Sequence, residues 1–500
     1  MLEMLQAVTA EAIQPALVGF VLAIVLVPIC RVVALRTGVV AHPRNDRWHR
    51  QTVPLLGGVA IALAALLGSV VTGVAAAMVV PVAAAFLIFI VGLTDDLLSL
   101  KPATKLIAQI ALASLLVYFG YQLNWVESRL LNSVLTILWV VGLTNAFNLL
   151  DNMDGLLAGV TVVVIAMMIT GLLTGAARTE AGAQVALLAL ILGAAGGFLL
   201  FNFPPASIFM GDSGSLFLGF TVAALTLNPE GIRASRTDVV SVIAGPVFLL
   251  LIPIFDTTLV IASRLLSGRS PAVGGRDHSS HRLVAMGLSE RGSVFVLWSL
   301  AAVGGVVGLT LRNATEGLSF LPAALFLLGM CVFAVYLGRI RVYDDAHVPA
   351  ADAMTPLIGD FMNKRRAVEV LIDFGVAGAA FYAAYRLRFP GESYLANAEG
   401  FYDSLPIVLA GQLVSFFFVG VYRGAWRLFE WREAGTIIKG ALLGTAGAQL
   451  ALLYLDSPEG VSRGAFLIYF VLTAVLAILA RAALRSLSEL IRQLNGARGV

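Results

Sequence analysis

Apolar runs of roughly 18 to 25 residues, each closed by a short polar break, recur from one end of the chain to the other. At about 1.5 Å per residue, a helix of that length covers the roughly 30 Å hydrocarbon core of a bilayer. About fifteen such segments can be marked, near 14–36, 55–77, 79–95, 103–121, 131–150, 156–175, 184–202, 214–228, 238–265, 293–312, 318–338, 367–388, 402–422, 436–455 and 465–485. The pattern predicts an all-α, polytopic membrane helix bundle of about eleven transmembrane helices, followed by a module of about four. The first run is too long for the apolar region of a signal peptide and is read as a retained span.

Composition agrees, since 59% of the 500 residues are hydrophobic and 13% charged, with a mean hydropathy of +0.91. A formal charge of +3 gives no basis for nucleic-acid binding. Cys30 and Cys331 sit inside apolar runs and suggest neither a disulfide scaffold nor a metal motif. The placement of Lys and Arg is more informative than their sum. Alternate loops carry Arg31 and Arg36; Lys101 and Lys105; Arg264, Arg269, Arg276, Arg282 and Arg291; and Arg481 and Arg485, so that about three quarters of the basic residues fall on one side. That side is expected to be cytoplasmic, with the N-terminus outside and the C-terminus inside. A mixed-charge stretch divides the chain into a membrane domain (1–340), a cytoplasmic linker (341–366) and a C-terminal four-helix membrane module (367–500).

The carboxylates fall in few places. Asp95 and Asp96 in "GLTDDLLSLKPATK", Asp151 and Asp154 in "NAFNLLDNMDGL", Asp212 in "FMGDSGSLFLG" and Asp277 in "GGRDHSSHRL" come from four loops on the same side of the topology. Any one of them alone reads equally as a solvated turn, but four beside apolar helices point to a site. Adjacent Asp95 and Asp96 call for a divalent ion or a basic partner such as Lys105. Asn145, Asn148, Asp151 and Asp154 recur every third residue and would form a polar ridge on a continuing helix, to read a ligand or to bond neighbouring helices. Gly211 and Gly214 flank Asp212 just before an apolar helix, whose N–H groups could meet an anion while Asp212 holds a metal or simply caps the helix. His278, His281 and Arg282, with Arg264 nearby, form a basic loop suited to phosphate or to the positive-inside rule. Asp256 lies inside the ninth apolar run, and Pro246 and Pro253 predict a kink there.

Taken together, "VPLLGG", "GLTDDLLSLKPATK", "NAFNLLDNMDGLLAG", "FNFPPASIFMGDSGSLFLG" and "PIFDTTLVIASRLLSGRSP" resemble, in order, the polyprenyl-phosphate N-acetylhexosamine-1-phosphate transferases of glycosyltransferase family 4. The likeness is to the branch that starts O-antigen, enterobacterial common antigen, teichoic acid and capsule chains. It implies transfer of a sugar phosphate, GlcNAc-1-phosphate above all, from a UDP-N-acetylhexosamine to undecaprenyl phosphate, with release of UMP. It also implies Mg²⁺, for which Mn²⁺ could substitute, a bacterial inner-membrane location with the active site facing the cytoplasm, and contact with membrane lipid; a homodimer is allowed. By motif, Asp212 matches the metal ligand. Asp95 and Asp96 match the catalytic pair beside it, also within reach of the metal. Asp154 joins the catalytic residues from the ridge at the nucleotide, while Asn145, Asn148 and Asp151 of that ridge, with Lys105, Gly211, Arg264, His278, His281 and Arg282, fall to substrate binding. The family commonly carries His-Ile-His-His where this chain has His278, Ser279, Ser280 and His281, so the middle imidazole is missing.

Residues 367–500 are similar to the membrane segment that precedes the Rossmann domain of nucleotide-sugar dehydratases and epimerases, through "RRAVEVLIDFGVAGAAFYAAYRLRF" and "FFVGVYRGAWRLFEWRE". A competing class is a membrane transporter using buried acidic residues, which an inverted repeat with mid-membrane acids would favour; no such repeat is visible.

Overall fold

The computed structural model describes residues 2–41, 52–174, 181–227, 239–267, 275, 277–312, 321–340, 365–391, 393–422, 431–455 and 462–496. Arg269, Arg276 and linker residues 341–364 lie outside them. The helices are α1 (Leu2–Thr37), α2 (Gly57–Val71), α3 (Val74–Ala77), α4 (Val79–Leu98), α5 (Pro102–Tyr118), α6 (Arg129–Leu150), α7 (Leu156–Thr174), α8 (Gly182–Asn202) and α9 (Gly211–Leu225). They continue as α10 (Val239–Leu249), α11 (Leu251–Leu266), α12 (Ser279–Ala285), α13 (Glu290–Arg312), α14 (Leu321–Gly338), α15 (Arg365–Arg388), α16 (Ser393–Val419), α17 (Trp431–Tyr454) and α18 (Arg463–Gly496). One short antiparallel pair joins β1 (Val40–Ala41) to β2 (Val53–Pro54).

Within the described residues all fifteen apolar segments expected from the sequence are mainly helical, the second as α2 and the short α3 and the ninth as two helices meeting at Leu250 between Pro246 and Pro253. Among the described residues, eleven helices are long and apolar enough to cross a membrane. The protein is a multi-pass, all-α membrane bundle.

Two compact units are distinguished, the first of Met1–Leu100, Leu123–Glu127 and Leu138–Met362, the second of Lys101–Gln122, Ser128–Ile137 and Asn363–Val500. The expected fourth span, now α5, therefore groups with the C-terminal helices.

In the first unit small residues let helix backbones approach, the general solution where lipid provides no hydrophobic drive between helices. A Cβ on Gly19 of α1 would stand 2.2 Å from the Leu190 carbonyl oxygen of α8, and one on Gly193 would stand 1.9 Å from that of Ala16. The same principle seats α2 on the start of α9, where a Cβ on Gly58 would lie 2.1 Å from the amide nitrogen of Gly214. Polar side chains inside the apolar layer satisfy one another: Trp139 Nε1 donates to Thr226 Oγ1 (2.9 Å), and Gln184 Nε2 donates to the Leu225 carbonyl (2.7 Å).

In the second unit α15 packs on α18, and α16 on α17 and α5. Buried Arg481 grips buried Asp373 through two nitrogens at 2.7 and 2.6 Å. Phe381 centres an aromatic cluster with Tyr385, Phe401, Phe466 and Tyr469. Gln412 bridges helices, donating to the Gly440 carbonyl (3.3 Å) and accepting from the Tyr469 hydroxyl (3.2 Å).

Candidate active site

The first unit builds its site around the N-terminus of α9. A helix start exposes N–H groups with no partner inside the helix and a partial positive charge. Here the partner is Asp96 from the last turn of α4. Its Oδ1 accepts from the Asp212 N–H at 2.8 Å and its Oδ2 from the Ser213 N–H at 2.9 Å. The approach requires glycine on both sides. Gly211 has φ +74°, and a Cβ there would meet Asp96 Oδ2 at 2.8 Å; a Cβ on Gly92 would meet the Asp212 carbonyl oxygen at 2.5 Å. The anion expected at this helix end is thus met first by a carboxylate of the protein itself.

Asp95, one residue earlier, does a different task. Its Oδ1 accepts from the Leu100 N–H at 2.5 Å, folding the chain back after α4, where Ser99 adopts φ +52°. Asp212 is half-buried and its Oδ1 accepts from Asn148 Nδ2 at 3.0 Å; the same amide donates to Ser215 Oγ at 2.9 Å. One amide of α6 therefore holds the first turn of α9 at two points.

The expected four-residue ridge is altered. Helix α6 ends at Leu150, and residues 151–155 form a turn closed by Gly155 at φ +72°. Asn145 and Asn148 lie on the helix, whereas Asp151 and Asp154 lie on the turn. Asn145 is exposed and donates to the Val141 carbonyl of its own helix. The sequence "DNMDG" explains the ending, since Asp, Asn and Gly favour turns over helix interiors. The turn is fastened to the loop leading into α9: Asp154 Oδ2 accepts from the Ala206 N–H (2.8 Å), while Asn202 accepts from the Gly155 N–H (2.9 Å) and donates to the Ile208 carbonyl (3.0 Å). That loop is further held by Arg291 Nε on the Pro204 carbonyl (2.9 Å) and by backbone bonds from Gly57 to Phe209 (2.9 Å) and Gly58 to Met210 (2.8 Å).

The histidine loop joins the same assembly from the other side. Ser280 Oγ donates to Asn152 Oδ1 at 2.5 Å, so the position that lacks the family's imidazole is tied to the acidic turn. Asp256, wholly buried in α11, takes His278 Nδ1 at 2.8 Å on one oxygen and the Ser279 N–H (2.7 Å) and hydroxyl (2.6 Å) on the other. His281 is buried, its ring edge-on to His278 with centroids 5.9 Å apart. Arg264 and Arg282 are buried as well and hold the loop in shape. Arg264 Nε pairs with Asp277 at 2.9 Å; Arg282 donates to the carbonyls of Asp277 (2.8 Å), Leu337 (2.8 Å) and Ile340 (2.9 Å) and to Ser263 Oγ (2.5 Å). Lys105, half-buried on α5, belongs to the second unit.

The structure thus brings together Asp96, Gly211, Asp212 and Asn148 at one helix start, with the Asp151–Gly155 turn and the His278–His281 loop fastened in series beside it. Sequence reasoning passed over Asn202, Ser215 and Asn152, and gave Arg291 only as one of the basic loop residues. A polar residue interrupting the apolar run "LLFNF" was the visible trace of Asn202.

Among the described residues no group of three or more His, Cys, Asp or Glu side chains is assembled as a metal cage. Mg²⁺ seldom needs one, since it is usually held by one or two carboxylates, water and substrate phosphates. The half-buried Asp212 carboxylate, beside a neutral amide, fits that pattern.

Comparison with known proteins gives the family. The glycosyl transferase family 4 profile matches residues 78–229, which hold Asp95, Asp96, Asn148, Asp154 and Asp212. A Bacillus subtilis protein named probable undecaprenyl-phosphate N-acetylglucosaminyl 1-phosphate transferase is 33% identical over 65% of this chain and 92% of its own length. A Mycolicibacterium smegmatis decaprenyl-phosphate N-acetylglucosaminephosphotransferase is 34% identical over 54% of this chain and 74% of its own. A phospho-N-acetylmuramoyl-pentapeptide-transferase of Shouchella clausii is 28% identical over 51% and 82%. With a family profile matched over residues 78–229 and a relative 33% identical over 92% of its own length, the chain belongs to glycosyl transferase family 4.

Proposed function

We propose that this protein transfers N-acetylhexosamine-1-phosphate, specifically GlcNAc-1-phosphate, from its UDP derivative to undecaprenyl phosphate, releasing UMP and starting a cell-envelope glycan. The observation that carries the reading is the Asp96–α9–Asp212–Asn148 constellation, made by residues inside the matched family segment. GlcNAc is favoured because the B. subtilis and M. smegmatis relatives are named for it and are more similar than the muramoyl-pentapeptide transferase. The distribution of Lys and Arg supports a site facing the cytoplasm of a bacterial inner membrane and an external N-terminus.

In this reaction an oxygen of the lipid phosphate attacks the β-phosphorus of the UDP-sugar, and the bond to the UMP oxygen breaks. Positioning and charge stabilisation are the main tasks. Asn148 and Asp96 fix the start of α9, and with it the direction of the Asp212 carboxylate. The Asp151–Gly155 turn and the histidine loop border the nucleotide. Asp212 would hold Mg²⁺, which would supply charge neutralisation on the phosphate oxygens. A phosphate monoester already carries most of its second negative charge near pH 7, so little base strength is required of the protein.

The test is to incubate purified protein with labelled UDP-GlcNAc, undecaprenyl phosphate and Mg²⁺ and to follow lipid-linked label and UMP together. Equal amounts of both are expected. Folded protein that forms neither, from UDP-GlcNAc or UDP-GalNAc, would defeat the reading and leave the transporter class standing.

A further inference from the structure

Asp256 has no place in the steps above, yet it is among the most completely enclosed charged groups of the first unit. Its side chain is wholly buried, and both oxygens are engaged on one short stretch of chain: Oδ2 with His278 Nδ1 at 2.8 Å, Oδ1 with the Ser279 N–H at 2.7 Å and the Ser279 hydroxyl at 2.6 Å. A carboxylate accepts and does not donate. With Asp256 ionised, the His278 Nδ1 must therefore carry its proton, and the lone pair of the neutral ring is on Nε2. Two residues on, Ser280 fastens the loop to Asn152 in the acidic turn. The imidazole is thus fixed in tautomer against Asp256, two residues before the point where its loop is tied to the turn that carries Asp151 and Asp154.

We propose that Asp256 is a positioning residue that presents His278 Nε2 as a hydrogen-bond acceptor for an O–H of the substrate. This rests on the sugar-phosphate transfer reading. The O–H belongs either to the residual acid form of the lipid phosphate or to a hydroxyl of the nucleotide sugar. In the first case the proton passes from the phosphate oxygen to Nε2, and the imidazolium formed is paired with Asp256. In the second the hydroxyl is only held. Carboxylates that orient histidines recur in hydrolases and metal sites because the tautomer decides which nitrogen can act.

Asp256→Asn separates this role from packing. The amide oxygen is claimed by the two Ser279 donors, which turns the Nδ2 hydrogens toward His278 Nδ1 and makes that nitrogen the acceptor. The proton then moves to Nε2, and that nitrogen loses its lone pair. Loss of a positioned proton acceptor is worth roughly 10²-fold or more and loss of one neutral hydrogen bond about two- to tenfold, so in Asp256→Asn kcat/KM should fall at least about 10²-fold in the first case and about two- to tenfold in the second, with Asp256→Glu recovering part of it. In a His278→Gln background, Asp256→Asn should add little, since residues acting as a unit are not additive. Solid-state NMR of protein labelled with 15N-histidine, with His278 assigned by comparison with His278→Gln, should show Nδ1–H in the wild type and Nε2–H in Asp256→Asn when the ring is neutral.

A deficit that vanishes well above the phosphate second pKa of about 6 identifies the phosphate proton. One that persists and resides in the KM for the donor identifies a hydroxyl. Full turnover in Asp256→Asn, or an equal loss with and without His278, would overturn the proposal; so would an unchanged tautomer. Because the NMR measurement uses the resting protein, it stands even if the wild type forms no lipid-linked sugar, which would instead overturn the transfer reading.

Discussion

Removing the Asp96 carboxylate should damage the fold and the chemistry together, whereas removing that of Asp212 should damage chemistry alone. Asp96 accepts two backbone N–H bonds at 2.8 and 2.9 Å from the first turn of α9. Hydrogen bonds to a charged partner contribute about 1.5–3 kcal/mol each when buried, and a helix cap is worth about 0.5–2 kcal/mol. Asp96 is only part-buried, so the joint loss in Asp96→Ala should be near the lower end, roughly 2–4 kcal/mol. Asp96→Asn should be nearly as harmful, because one N–H would then face the amide Nδ2, a second donor. The assay is thermal unfolding in detergent alongside turnover of labelled UDP-GlcNAc. Both Asp96 variants should melt several degrees lower, on the order of 5 °C, and lose most turnover as the first turn of α9 shifts. An Asp96→Ala protein as stable as the wild type but without turnover would refute the reasoning and make Asp96 a direct participant in the reaction.

Further expectations are quickly checked. Asp212→Asn should express and melt as the wild type does but lose Mg²⁺-dependent turnover; unchanged turnover removes Asp212 from the metal site. Ser280→Ala forfeits one neutral hydrogen bond, worth about 0.5–1.5 kcal/mol, and should raise the donor KM some two- to tenfold, with no added effect in Asn152→Ala. Gly58→Ala places a Cβ 2.1 Å from the Gly214 nitrogen, and since backbone cannot yield like a flexible side chain, the variant should be poorly expressed or strongly destabilised. In the second unit Arg481→Ala strands the buried Asp373 carboxylate and should destabilise by about 3–5 kcal/mol, whereas Asp373→Leu with Arg481→Met should recover most of that loss.

Much of the architecture was legible because membrane helices are written in runs of apolar residues whose length the bilayer dictates. The ninth run illustrates both the strength and the limit: Pro246 and Pro253 marked a disturbance, and the break falls between them at Leu250. What the sequence concealed was the division of labour among carboxylates. Asp95 and Asp96 are neighbours of one residue type, yet one folds its own loop and the other caps a helix more than a hundred residues away. That difference depends on where Gly92 and Gly211 permit close backbone approach, which no spacing rule reveals. Asp151 and Asp154 misled in the opposite direction. Their three-residue period fits a helix, but Asn152 and Gly155 made the turn the better local choice. The His278–Asp256 pair was hidden because its partners are twenty-two residues apart on separate elements.

The capping of α9 also bears on why a cation should be indispensable. An open helix start can bind the phosphates of a nucleotide through its own N–H groups. Here the Asp212 and Ser213 N–H groups already face Asp96, so the helix offers the donor diphosphate less positive potential than its dipole alone implies. Asp95, Asp96, Asp151, Asp154 and Asp212 add negative charge around the same region, and Arg264 and Arg282 are held by partners within the protein. A diphosphate approaching these carboxylates is repelled unless a divalent ion accompanies it. Chelation should therefore abolish binding of UDP-GlcNAc as well as its turnover. Equilibrium binding of the labelled donor in excess EDTA, set against millimolar Mg²⁺, measures this directly, and at least a tenfold weaker affinity without metal is expected, equivalent to about 1.4 kcal/mol. Equal affinity in the two conditions would mean that protein cations alone receive the diphosphate, and that the acidic face is not the donor site.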